Sequence, residues 1–134
     1  MVKAEGKILV FETPDKITPD VLETFPYALP ELKTGKIPGQ NITYTTKEFS
    51  AVCPFSGLPD IATVTIEYMP DKKVLELKSL KYYLLSYRNV GIYQEHATQK
   101  IFADLQKVLK PKKLKVTTIY NTRGGIDTVC TIEK

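Results

Sequence analysis

An α+β domain built on an antiparallel sheet is what this sequence predicts, and three observations carry that prediction. Strand-like alternation falls in two blocks, residues 42–69 and 113–134, and helical periodicity is confined to the stretch between them. The 134 residues have the length of one domain, 1–134, with enough chain to bury a core. The resulting order is β-β-α-α-β-β. Strands that pair locally around a helical middle favour an antiparallel arrangement over βαβ units.

Residues 1–40 are the least regular, because Pro14, Pro19, Pro26, Pro30 and Pro38 interrupt any long element. Within them GKILVFE could form a short strand, and TPDVLETFP could carry one helical turn begun by Thr18, with Pro19 at its first position. ITYTTKEFSAV, rich in β-branched and aromatic residues, reads as a strand. IATVTIEYM alternates cleanly, with Ala62, Val64, Ile66 and Tyr68 on one face and Thr63, Thr65 and Glu67 on the other. MPDKK reads as a turn and VLEL as a returning extended segment, which together predict a hairpin.

KSLKYYLLSYRN follows, with Leu77, Leu80, Leu84 and Tyr87 at helical spacing. Gly91 breaks it. A second helix is expected over about 92–109, with Ala97, Ile101, Leu105 and Val108 on one stripe, ending at lysines and Pro111. KLKVTTIY and GIDTVCTIE, joined by NTRGG, complete a second hairpin. A four-stranded sheet of this kind leaves two open edges, which pairing with further subunits into a barrel would close.

Composition narrows the function classes. Hydrophobic residues make up 43% and charged residues 25%, the balance of an ordinary globular chain. No apolar run approaches the ~20 residues of a membrane span, and the N-terminus shows no secretory signal. With no export signal, Cys53 and Cys130 are expected as reduced thiols, and the cytoplasm is the expected compartment. The formal net charge of +4 is partly concentrated in KVLKPKKLK. No aromatic interleaving accompanies that run, so it reads as a helix end and no direct nucleic-acid contact is expected.

The most informative stretch is AVCPFSGLPD, residues 51–60, which sets Cys53 and Asp60 seven positions apart across a turn. Pro54, Ser56, Gly57 and Pro59 leave little room for helix or strand between them. A thiol on a loop beside an acid suggests a covalent nucleophile with a proton donor. Taken singly, each residue type is more often a small buried Cys or a turn-forming Asp. Cys130, in an alternating run, reads as a packed strand residue without chemistry.

Three segments together resemble the 7-cyano-7-deazaguanine reductase family in its short single-domain form: CPFSGLPD (53–60), ELKSLKYY (76–83) and SYRNVGIYQEH (86–96), with NTRGGI (121–126) fitting the C-terminal hairpin. The resemblance implies the tunnelling fold, in which β-β-α-α-β-β units from several subunits join into a barrel. It implies reduction of the nitrile of 7-cyano-7-deazaguanine to an aminomethyl group by two equivalents of NADPH, a step of queuosine biosynthesis. It implies Cys53 as the thiolate that forms a thioimide and Asp60 as the proton donor to nitrogen. Leu75, Glu76, Leu77, Gln94 and Glu95 become the expected substrate contacts, with Glu95 accepting two donors of the deazaguanine edge. Lys78, Lys81 and Arg123 are the expected NADPH contacts. No metal is implied, and the expected assembly is a decamer of two pentameric rings with shared sites.

Cys53 reacts only as thiolate, so something must lower its pKa or accept its proton, and Asp60 is the expected partner. One departure stands out: Gln94 occupies the position where the family usually has His, and His96, two helix positions on, should point elsewhere. Two alternatives remain at this stage, an amidinotransferase of the same superfamily acting on nitrile-bearing tRNA and a non-catalytic purine- or pterin-binding module. ELKSLKYY argues against the first.

Overall fold

The computed structural model describes residue 6, residues 9–32 and residues 37–134. Two short 3-10 turns, Pro14–Lys16 and Pro19–Val21, precede strand β1 (Thr24–Pro26). Then come β2 (Ile42–Val52), β3 (Pro59–Met69), β4 (Lys73–Leu75), helices α1 (Leu77–Leu85) and α2 (Gln94–Leu109), β5 (Lys113–Arg123) and β6 (Ile126–Glu133). The four long strands form one antiparallel sheet in the order β2-β3-β5-β6.

The turn at Pro19 begins at Thr18 as its proline predicts. The GKILVFE strand lies partly outside the described residues, and Glu12 forms only a single parallel bridge with Val90. The expected β3–β4 hairpin does not form. β4 instead pairs antiparallel with β1 in a separate two-stranded sheet, Phe25 opposite Val74. The reason is the edge available to it: β3 already has β2 on one side and β5 on the other, so neither of its backbone edges is free.

Alternation decides which face is inside. Ala62, Val64, Ile66 and Tyr68 of β3 are all buried, while Thr63, Thr65 and Glu67 are partly exposed on the other face. β2 follows the same rule only because its register shifts between Thr46 and Phe49. The extra residue leaves Lys47 and Glu48 both exposed and returns Phe49 to the core.

Both helices cover the buried face. The Glu76 carboxylate caps α1, accepting from the N–H of Lys78 (3.0 Å) and of Ser79 (2.7 Å). α2 buries Ala97, Thr98, Ile101, Phe102, Leu105 and Leu109 and ends at Lys110, left-handed at φ 47°. Each fully buried side chain such as Ile101 or Leu105 contributes ~1.5–3 kcal/mol over its exposed state. A polar cluster ties the helices together. Tyr83 Oη donates to Asp104 Oδ2 (2.6 Å), lies 2.8 Å from Tyr87 Oη, and Lys100 Nζ completes the set at 2.9 Å from Asp104 Oδ1.

Among the described residues β6 has one open edge, and so has β2 except at Val52, which bridges to Gly91. No helix among the described residues is long and apolar enough to cross a membrane.

Candidate active site

Cys53 stands where β2 ends, held by a compact loop. Its N–H donates to Leu58 O (2.9 Å), and its carbonyl accepts from the N–H of Gly57 (2.8 Å). Gly57 has φ +74°, and a Cβ there would lie 2.8 Å from Leu9 Cβ, so the loop closes only with glycine at this point. The residue just before the thiol is anchored as well. Val52 N–H donates to Val90 O (2.9 Å), and Ile92 N–H donates to Val52 O (3.0 Å). Those bonds tie the nucleophile loop to the segment that enters α2.

The turn also conditions the sulphur. A hydrogen bond from the Ser56 side chain, followed by the backbone N–H groups of Ser56 and Phe55, holds the Cys53 thiol below its ordinary pKa. The Asp60 charge acts in the opposite direction. Of the two ways Asp60 was expected to serve Cys53, lowering its pKa falls instead to the Ser56 turn, because a like-signed carboxylate disfavours a thiolate, which leaves acceptance of the thiol proton. The sequence marks Ser56 only as a turn former.

Asp60 opens β3 opposite Ala51 and is 7% exposed. Burial raises its carboxyl above the usual range, the Arg123 guanidinium pulls it back down, and Glu95 pushes it up again. Arg123 Nη1 donates to Asp60 Oδ1 at 2.8 Å and to Pro59 O at 2.7 Å. The Gly124–Gly125 turn, with φ of 59° and 75°, brings Arg123 directly opposite Ile126 at the tip of the hairpin. The connection is thus tighter than the NTRGG loop read from the sequence.

Glu95 lies exposed in the first turn of α2, and Gln94 beside it is half-buried. That turn is set over β5 by Thr98, whose Oγ1 lies 2.6 Å from Thr118 Oγ1. His96 is exposed, its ring edge-on to Tyr93 with centroids 5.9 Å apart. Two positions along β5 from Thr118, Tyr120 is 4% exposed and its hydroxyl has no hydrogen-bond partner among the described residues. Burial raises the Tyr120 pKa, the neighbouring charges of Cys130, Asp60 and Glu95 raise it further, and the Thr118 side chain, close by but outside hydrogen-bonding geometry, pulls it back. A buried tyrosine in an alternating strand gives no sequence signal that its hydroxyl lies unpaired near the acid. Cys130 is half-buried and, like Cys53, a free thiol.

The remaining expected site residues lie elsewhere. Leu75 is buried, its N–H donating to Tyr68 Oη (3.0 Å). The Glu76 carboxylate is engaged as the helix cap, so any ligand contact there falls to the backbone or to the next residue, Leu77, which is 57% exposed. Lys78 and Lys81 are exposed on one side of α1 and form no ion pair among the described residues. Tyr68 follows Asp60 by eight residues along β3, about 27 Å of strand. The chain therefore brings together Cys53, Asp60, Glu95 and Arg123 at one end of the sheet and seats Leu75 at the other, while Leu77 and Lys81 line a cleft over the middle of β2 and β3 with Phe49, Val64 and Ile66.

Two free lysines on a helix face fit the phosphates of a dinucleotide; Arg123 fits one only by leaving Asp60.

The family model described as QueF-like protein matches residues 59–134. The NADPH-dependent 7-cyano-7-deazaguanine reductase of Thermotoga maritima is 55% identical over 129 residues, 96% of this chain and 88% of that protein. The protein of the same name from Caldicellulosiruptor bescii is 54% identical over 114 residues, covering 85% of this chain and 82% of the relative. That of Chloroherpeton thalassium is 45% identical over 113 residues, covering 84% and 92%. Among solved structures, the apo form of the archaeosine synthase QueF-Like superposes with a TM-score of 0.63 at 25% identity, over 73% of this chain and 95% of that one. With its α+β architecture, its Cys53–Asp60 loop and relatives matched along almost the whole of its length, the chain belongs to the QueF-like family.

Proposed function

We propose that this protein is an NADPH-dependent reductase that converts the nitrile of 7-cyano-7-deazaguanine to an aminomethyl group in queuosine biosynthesis. The observation that carries the mechanism is the opposed tuning of two groups seven residues apart, a thiol held low by its own turn and a carboxyl held high by burial. The two shifts run in the direction a nitrile requires, towards thiolate at Cys53 and towards a proton on Asp60, which Arg123 opposes while it is paired with the carboxylate. Cys53 sulphur bonds to the nitrile carbon as one π bond of the triple bond breaks. Asp60 delivers a proton to nitrogen, leaving a neutral thioimide. NADPH supplies hydride. Glu95 holds the deazaguanine edge through adjacent N–H donors, with Gln94 beside it.

A second copy of the chain supplies what the first lacks. Leu75 sits beside Tyr68 at the far end of β3, so the Leu75–Leu77 segment meets the substrate when a neighbouring subunit brings its copy to the Cys53 end of the sheet, with Lys78 and Lys81 following on the same helix to meet the dinucleotide phosphates. The open edges of β2 and β6 offer the means, and closure of a barrel across subunits into two stacked rings of five fits the same need. Cys53 must remain reduced to react, which suits the cytoplasm.

The test mixes protein, 7-cyano-7-deazaguanine and NADPH and follows loss of dihydronicotinamide absorbance. Consumption of two NADPH per nitrile, with a covalent adduct by mass spectrometry that vanishes in Cys53→Ala, is the expected result. An adduct with no NADPH consumption would overturn the reductase reading. A fully active monomer, by light scattering, would overturn the shared site.

A further inference from the structure

Arg123 was expected at a cofactor phosphate, yet its guanidinium is spent on the acid. Nη1 reaches both Asp60 Oδ1 (2.8 Å) and Pro59 O (2.7 Å), so the arginine fixes the carboxyl and the backbone beneath it together. The Arg123 side chain is nevertheless 41% exposed, against 9% for that of Asp60, and stands on a two-glycine turn at a hairpin tip. One partner is locked in place and the other can swing into solvent.

The geometry points to an arginine shared between two anions: in the free protein it holds the Asp60 carboxylate, and the extra phosphate that distinguishes NADPH from NADH draws it away, letting Asp60 take up the proton it gives to the substrate. This inference rests on the reductase reading for its second anion. The groups facing Asp60 are Arg123 and Tyr120 from β5, Glu95 from α2 and Cys53 from the preceding loop. Among them Arg123 is the cation. Its departure leaves a buried carboxyl beside Glu95, an environment that favours the neutral acid. The proton comes from solvent and goes to the substrate nitrogen, so Asp60 ends each transfer ionised and must be reloaded. An arginine engaged by a phosphate permits reloading; one engaged by Asp60 opposes it. Arg123 thereby acts as a positioning residue for the acid and couples its strength to occupancy of the dinucleotide site.

The experiment is an infrared titration of the protonated carboxyl band of Asp60, assigned by its loss in Asp60→Asn. Without any ligand, Arg123→Gln should raise the midpoint by about 1–3 pH units. An unchanged midpoint overturns the proposal. Arg123→Lys, which keeps the charge and loses the fork, should fall between the two and guards against a folding defect. In the second arm the wild-type protein is titrated with saturating NADP+, which cannot donate hydride, and with NAD+, which lacks the extra phosphate. NADP+ should raise the midpoint towards that of Arg123→Gln, NAD+ should leave it unmoved, and NADP+ should add nothing in Arg123→Gln. Bound NADP+ without a shift, or an equal shift in Arg123→Gln, overturns the sharing. Absence of any NADP+ binding defeats the sharing and the reductase reading together, whereas a reductase that binds NADP+ without the shift loses the sharing alone.

Discussion

Two polar clusters lie in this molecule, and the way each treats its hydrogen bonds separates structure from chemistry. Between α1 and α2, Tyr83, Tyr87, Asp104 and Lys100 form a closed set in which every named group has a partner within 2.9 Å. At the Cys53 end of the sheet, the Tyr120 hydroxyl has none among the described residues, Asp60 is buried with its proton affinity raised, and the Arg123 cation beside it is half in solvent. A satisfied cluster rigidifies a core; a partly satisfied one stores affinity for something that is not yet there. The lesson is that burial alone marks neither cluster as functional, and the unpaired atoms do.

The sharpest way to break this comparison is at the thiol. Cys53→Ala should abolish NADPH consumption and covalent adduct together while leaving the thermal midpoint almost unmoved, because the side chain is only half-buried. Retained turnover would place the chemistry elsewhere.

Next in size is Asp60→Asn, which should lower turnover by ~10²–10⁴-fold, the range of a lost general acid. Its effect on stability should run the other way. The folded-state pKa of Asp60 is raised, so the stability it contributes is full below the ordinary carboxyl value of 3.8 and is lost as pH rises through the raised value. Asp60→Asn removes that loss. Its melting temperature should exceed the wild type's near pH 7, and the gap should close by about pH 3, measured by calorimetry across pH. A less stable variant at neutral pH would show that pairing with Arg123 outweighs burial.

A matched pair of hydroxyl deletions sharpens the contrast. Tyr83→Phe removes a bridge between Tyr87 and Asp104 and should cost ~1–3 kcal/mol in urea unfolding with little change in catalytic rate. Tyr120→Phe removes a hydroxyl that has no partner and should be neutral or slightly stabilising. Equal losses in the two variants would erase the distinction between the clusters.

The smallest effect falls on the turn. Ser56→Ala should move the pH dependence of Cys53 alkylation upward, measured with iodoacetamide in a Cys130→Ser background, without altering the unfolding midpoint. An unmoved profile would leave the backbone N–H groups as the sole activators.

Much of the fold was legible because periodicity and burial share a cause. The alternation of residues 62–68 and the stripe Ala97, Ile101, Leu105 predicted the buried faces that β3 and α2 present. The β3–β4 hairpin was misread because a turn followed by an extended segment looks the same whichever strand it joins, and pairing depends on which edge is vacant. In the site, the Cys53–Asp60 loop and Glu95 stood out by motif. Ser56 did not, since its hydrogen bond to sulphur depends on a turn geometry that composition does not specify. Nor did Tyr120, whose buried tyrosine pattern is that of any core strand. Arg123 was assigned to a phosphate, and its bond to Asp60 spans 63 positions of the chain.

Local chemistry is what the sequence determined by itself: which residues alternate, where prolines and glycines end elements, and which thiol and acid share a turn. These follow from interactions among neighbours, which any one chain carries with it. Tertiary structure alone decided which edge β4 joined, which charge Asp60 faced, and that Leu75 lies at the far end of β3 from the acid. Each depends on competition for a limited number of buried partners, and that competition is settled only when distant segments meet.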